Sequence, residues 1–227
     1  MRFEGEDIMS LLEKLFREHQ GRAFRKWSGY FAIYESFLHQ FVGKDILLFE
    51  IGVADGGSLQ VFKKFLGPAA RVVGIDIKSW TRFQEQGIQV ELGNQADTGF
   101  LEKVLAKHGL PSVVIDDGSH QMVDVRATFD FLFPKLPSGG VYLVEDMHTA
   151  YRKQYGGGLK KKRSFIEFAK SHVDSLNAFW PETKLTPNLI SESCRGIHFF
   201  DSVIVFEKGP LPKQELVKRG TEVLGRN

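Results

Sequence analysis

Two stretches of this chain carry residue types that can do chemistry. Val113–His120, VVIDDGSH, runs from β-branched residues into two adjacent carboxylates, a glycine, a serine and a histidine. Val141–Val144 ends in the same way, in Glu145–Asp146 with His148 shortly after. A plain turn behind a strand needs neither paired acids nor an imidazole. If both strands lie parallel in one sheet, Asp116, Asp117, Glu145, Asp146 and His120 gather at one edge. Four carboxylates cannot all stay ionised in a dry cleft, so either their pKa values rise or a cation is present. An oxygen-only set selects a hard ion, with Mg2+ foremost. No pair of histidines with a cysteine or carboxylate stands at zinc-like spacing. His120, three residues beyond Asp117, suits a general base that deprotonates a hydroxyl, and an ion on that hydroxyl would lower its pKa further. The plainer alternatives are a solvated acidic rim and a loop histidine.

A second constellation lies at EIGVADGGS, residues 50–58. Gly52, Gly56 and the start of a helix near Ser58 make a turn in which backbone can approach a ligand and helix N–H groups can point at it. Ala54 breaks the dinucleotide pattern GxGxxG, and a glycine-rich turn alone is a weak signal. Asp76 ends the next strand, where such folds hydrogen-bond ribose hydroxyls. Asn94, Gln95 and Asp97 follow the third strand in GNQAD; Asp97 either accepts from an adenine amine or caps the helix beginning at Thr98. Glu50 and Asp55 would repel a pyrophosphate but suit the cationic amino-acid end of S-adenosylmethionine, which is therefore favoured over NAD.

The elements that must position these residues are legible from hydrophobic runs. Apolar strands at 46–51, 71–75, 89–92, 112–115 and 141–144 alternate with helices starting near Ser58, Thr98 and Val123. That alternation predicts a parallel sheet covered on both faces, with all five strand C-termini on one edge. Ile197–Phe200 and Val203–Glu207 predict a closing antiparallel hairpin, giving a doubly wound, Rossmann-like α/β sheet of seven strands. Ahead of it, residues 6–20 carry Ile8, Leu11, Leu12, Leu15 and Phe16 at helical spacing. Residues 24–41 bear a stripe of aromatics that either packs a helix on the domain or roofs a pocket with Lys26, Tyr30 or Glu35 facing inward. The expected division is an N-terminal helical segment (1–42), the main domain (43–210) and a tail (211–227).

The chain has 227 residues, a formal charge of +2 and 42% hydrophobic content, ordinary for a globular protein and too weakly charged for a nucleic-acid footprint. Its single cysteine, Cys194, excludes an intramolecular disulfide and fits a reducing cytoplasm as a small buried hydrophobe. No stretch approaches the roughly 20 apolar residues that span a bilayer. Twenty phenylalanines are more than a core of this size is expected to use, so some are expected to line an apolar pocket. KKKR at 160–163 reads as a solvated face, or as a lid drawing in an anionic substrate.

The combination of FEIGVADGGSL (49–59), IDDGSH (115–120), VEDMHTAY (144–151) and IHFFDSVIVFEK (197–208) resembles the Mg2+-dependent sugar O-methyltransferases that tailor macrolides, over roughly residues 24–208. The resemblance implies a class I methyltransferase fold using S-adenosylmethionine. It implies that Asp117, Glu145 and Asp146 bind Mg2+ and that His120 is the base, leaving Asp116 to orient the cofactor or stand behind the ligands. The implied reaction is SN2: vicinal sugar oxygens chelate the metal, His120 takes the proton, and the alkoxide attacks the sulfonium methyl. The implied partner is a glycosylated small molecule. Methylation of a catechol or phenol uses the same chelate, and a cofactor-binding protein without chemistry is the reading from another class. The acceptor's identity and any homo-oligomer stay open.

Overall fold

Leu47–Ile51 (β1) has every residue buried, as expected of a strand with both faces covered. It sits centrally, pairing in parallel with Arg71–Asp76 (β2) on one side and Val113–Asp116 (β5) on the other. Ile88–Leu92 (β4) extends the parallel array beyond β2, and Val141–Val144 (β6) extends it beyond β5. Ile204–Lys208 (β8) runs antiparallel to β6, and Cys194–Phe199 (β7) pairs with β8 as the expected hairpin. The seven expected strands are all present. An eighth, Gln84–Glu85 (β3), pairs antiparallel with β4 at the edge, giving the order β3-β4-β2-β1-β5-β6-β8-β7. The computed structural model describes residues 9–79, 83–180, 182, 184–211 and 215–220; Ile8 and most of the expected tail lie outside them.

Strand alternation divides the core in two. Leu48, Val113, Ile115 and Leu143 face a cluster containing Leu12, Phe16, Tyr34 and Phe62. Phe49, Val114, Tyr142 and Val144 face the opposite cluster, with Phe129, Phe133 and Phe165. The first face is covered by Leu11–Arg17 (α1), Tyr30–Leu38 (α2) and Gly57–Leu66 (α3). The second is covered by Thr98–His108 (α4), Met122–Leu132 (α5) and Phe165–Ser171 (α6), with the short Val173–Leu176 (α7) and Leu189–Ser193 (α8) beside β7. Much of the phenylalanine content is spent in these two clusters.

The expected 6–20 helix is shorter: Ser10 caps α1 by accepting from Glu13 N–H, and Glu35 of α2 accepts from Leu12 N–H. The aromatic stripe is helical only from Tyr30. Residues 22–26 instead cross the glycine turn as a strap without regular secondary structure, where Gly57 N–H donates to Ala23 O at 3.0 Å. Arg22 anchors the strap, stacking on Phe83 at 3.9 Å and bonding Glu85 of β3 at 2.9 Å. Among the described residues no helix is long and apolar enough to cross a membrane.

Candidate active site

The alternation at the end of β5 sends Asp116, its last residue, and Asp117, the next, to opposite faces. Asp116 follows Val114 towards the second core cluster and is buried there. Gln95 Nε2 donates to it at 3.1 Å and Tyr142 OH at 3.2 Å. Burial pushes its carboxyl up to about 7, against the pull of those donors. Asp117 follows Ile115 to the first face, towards the strap. This settles what spacing left open: Asp116 and Asp117 do not share an environment.

On that first face, Lys26 of the strap brings its ammonium between three carboxylates. Its Nζ lies 2.8 Å from Asp117 Oδ2, 3.0 Å from both oxygens of Glu145 and 3.1 Å from Glu50 Oε1. The Lys26 side chain is 3% exposed, Glu145 1% and Glu50 0%. Burial alone would lower the lysine's pKa, but Asp117 and Glu145 hold it well above the usual value. Burial pushes Glu145 up to about 8, with Lys26 opposing. Tyr34 OH donates to Glu145 Oε1 at 2.6 Å, and Ser58 Oγ donates to Glu50 Oε2 at 2.7 Å. Sequence reasoning named Lys26 only as one of three inward candidates.

Outside the lysine, Asp117 Oδ1, Asp146 and His120 form an open corner. His120 Nε2 lies 3.8 Å from Asp117 Oδ1 and 3.7 Å from Asp146 Oδ2, too far for hydrogen bonds and near enough to share an ion or a proton path. One ligand atom from each of the three fits within 4.8 Å of the others. Both His120 and Asp146 take left-handed backbone, at φ 56° and 53°, which turns their side chains together at a conformational cost. Tyr30 OH donates to Asp146 Oδ1 at 2.7 Å and fixes its orientation. Asp117, Asp146, Glu145 and Glu50 outnumber Lys26, so the donor set and charge fit a hard divalent ion. Glu145, expected as a ligand, is engaged by Lys26 and Tyr34 and stands outside the three-atom corner.

Two cavities adjoin it. One of about 390 Å³ opens at the C-terminal edge, lined by Gly52, Asp76, Asn94, Gln95 and Gly118 among others. This is the topological switch between β1 and β5, where such sheets take ligands. Asp76 also ties down the glycine turn, accepting from Val53 N–H at 2.9 Å. Gly52, at φ 87°, is needed there: a Cβ would collide with the carbonyl of Asp117. Asp117 lines the acidic corner and Gly118 this cleft, so one loop serves both.

Five residues assigned to the cofactor are not on the cleft. Gly56 packs on Phe83, where a Cβ would not fit. Glu50 faces Lys26 and accepts from Ser58, so its carboxylate is met internally and is not presented to a ligand. Asp97 caps α4, accepting from Phe100 N–H at 3.1 Å. Asp116 is likewise turned into the core. The 160–163 basic run is exposed on a turn. The second cavity, about 600 Å³, lies on the outer side of the corner, lined by Trp27, Tyr30, Ile33, His148, Arg152 and Phe200 among others. His148 is its wall, held by Ser202 Oγ at 2.7 Å.

No family model matches the chain. The 8-demethyl-8-(2-methoxy-alpha-L-rhamnosyl)-tetracenomycin-C 3'-O-methyltransferase of Streptomyces olivaceus is 31% identical over 211 residues, covering 87% of this chain and 54% of that protein. The mycinamicin VI 2''-O-methyltransferase of Micromonospora griseorubida is 30% identical over 188 residues, 78% of this chain and 47% of that protein. The chain is homologous to these sugar O-methyltransferases. The solved MycE methyltransferase of the mycinamycin pathway, in complex with Mg, SAH and mycinamycin VI, superimposes with a TM-score of 0.77 at 30% identity. It covers 88% of this chain and 53% of that one. The Rossmann-like methyltransferase fold is thus shared, and the chain spans about half the length of the curated relatives it matches.

Proposed function

We propose that this chain is an S-adenosylmethionine- and Mg2+-dependent O-methyltransferase acting on a sugar hydroxyl of a glycosylated small molecule. The observation that carries the reading is the corner of Asp117, His120 and Asp146, placed between a cleft at the β1–β5 switch and an aromatic-walled cavity. Bound Mg2+ would acidify and orient vicinal sugar oxygens, and S-adenosylmethionine would supply an electrophilic methyl. The chain's own residues do the rest. Gly52, Asp76, Asn94, Gln95 and Gly118 hold the cofactor; Asp117 and Asp146 hold the ion; Tyr30 keeps Asp146 aimed. His120 accepts the hydroxyl proton at Nε2. Trp27 and Phe200 offer flat apolar faces to a sugar ring, and His148 and Arg152 offer donors to its oxygens.

A cytoplasmic location suits this reading, because both cofactors are held there. A net charge of +2 argues against nucleic acid as acceptor. The test is methyl transfer to a panel of vicinal-diol glycosides and catechols, with and without EDTA. Glycoside methylation abolished by EDTA, and reduced at least about 100-fold in His120→Ala, is expected. Turnover in excess EDTA would remove the metal, and exclusive use of catechols would move the substrate class.

A further inference from the structure

The acidic cluster holds more negative charge than one divalent ion needs, and the chain already carries a cation inside it. Four carboxylates, Glu50, Asp117, Glu145 and Asp146, surround the position, and Lys26 Nζ contacts three of them within 3.1 Å while almost wholly buried. Asp117 is shared, with Oδ2 on the ammonium and Oδ1 facing the open corner. Glu50 is not part of that corner. It is fully buried, bonded to Lys26 and Ser58, and is not among the residues whose ligand atoms converge.

We propose that Lys26 is a resident counter-cation and positioning residue of the metal site. Its ammonium neutralises the inner half of the cluster, fixes Asp117 with one oxygen outward, and limits the cluster to a single, weakly held divalent ion. The contacts make this specific. With Lys26 in place, Glu50, Asp117 and Glu145 share one ammonium, so a divalent ion meets a cluster whose inner carboxylates already have a cationic partner. Without Lys26, those carboxylates lose that partner and surround a space that a divalent ion would enter in the lysine's place. A weak single site suits Mg2+, which binds through few carboxylates and keeps its own waters. The inference rests on reading the Asp117 corner as a divalent-ion site.

The test is Mn2+ titration of the apoprotein followed by electron paramagnetic resonance, which reads affinity and stoichiometry without turnover. Wild type is expected to bind one ion. Lys26→Met is expected to bind at least about tenfold more tightly or to take a second ion. Glu50→Gln, which touches no ligand, is expected to bind at least about fivefold more weakly, because the ammonium is then less fully neutralised. Lys26→Met/Glu50→Gln should return towards wild type. Glu50→Gln keeps the acceptor for Ser58 and guards against a Lys26→Met protein that does not fold. Glu50→Gln binding within twofold of wild type overturns the inference, as does a folded Lys26→Met that binds one ion with unchanged or lower affinity. A wild type that binds no Mn2+ at all overturns the metal reading itself, a separate outcome.

Discussion

Replacing Gly52 with alanine places a methyl group where the exit of β1 meets the Asp117 loop. The new Cβ would lie 2.7 Å from the Asp117 carbonyl carbon and overlap its oxygen, with Gly118 Cα at 3.0 Å. All three atoms are backbone, so no side-chain rotation relieves the contact. Left-handed φ adds about 1–2 kcal/mol for a residue with a Cβ. Overpacking against fixed atoms adds about 1–3 kcal/mol. Alanine's lower unfolded-state entropy returns about 0.4–1 kcal/mol. The net loss is about 1–4.6 kcal/mol, and relief requires the Asp117–Gly118 loop to move away from β1. Urea unfolding followed by circular dichroism measures the loss. Gly29→Ala is the control, since Gly29 has φ −62° and nothing within 4 Å of its added Cβ. It should be neutral or stabilising by up to about 1 kcal/mol. A Gly52→Ala loss under about 1 kcal/mol would refute the claim that this glycine is required by close approach.

Other consequences can be checked as directly. Tyr34→Phe removes a 2.6 Å hydrogen bond to buried Glu145 and should cost about 1.5–3 kcal/mol in denaturant unfolding. Cys194 is fully buried and burial pushes its thiol up to about 11, so native protein at pH 8 should resist iodoacetamide and react only when unfolded. Trp27 is 63% exposed on the outer cavity. Trp27→Ala should change stability by less than about 0.5 kcal/mol while raising KM for a glycoside acceptor more than it lowers kcat.

The parallel core was legible because β1, β5 and β6 are nearly continuous apolar runs, interrupted only by Glu50 and ended by Asp116, as suits strands buried on both faces. β3 was not, since two polar residues at a sheet edge carry no hydrophobic period. The strap was misjudged for a different reason. Phe24 and Trp27 fall at helical intervals from Tyr30, yet the chain there is not helical: Lys26 enters the acid cluster and Ala23 O accepts from Gly57 N–H of the glycine turn. Nothing local marks a lysine for burial when its partners stand 91 and 119 residues away. The acids themselves were found from strand ends. Which face each would take followed only once the pleat was fixed. Glu50 and Ser58 were read as facing a ligand because a glycine turn invites one, and the strap had taken that space.

The strap also bears on the order in which this molecule comes together. The bonds that tie the strap and α2 to the sheet edge, Lys26 to Glu145, Tyr30 to Asp146 and Tyr34 to Glu145, span 119, 116 and 111 residues. Contacts of such sequence separation carry a large loop-closure cost, and are expected to form after local helices and neighbouring strands. The acidic corner therefore acquires its inner wall late. A chain emerging from the ribosome has made Lys26 long before β6 exists to receive it. Partly folded molecules would hold a sheet without a finished site, so that the appearance of metal binding during refolding should lag behind the recovery of helical signal.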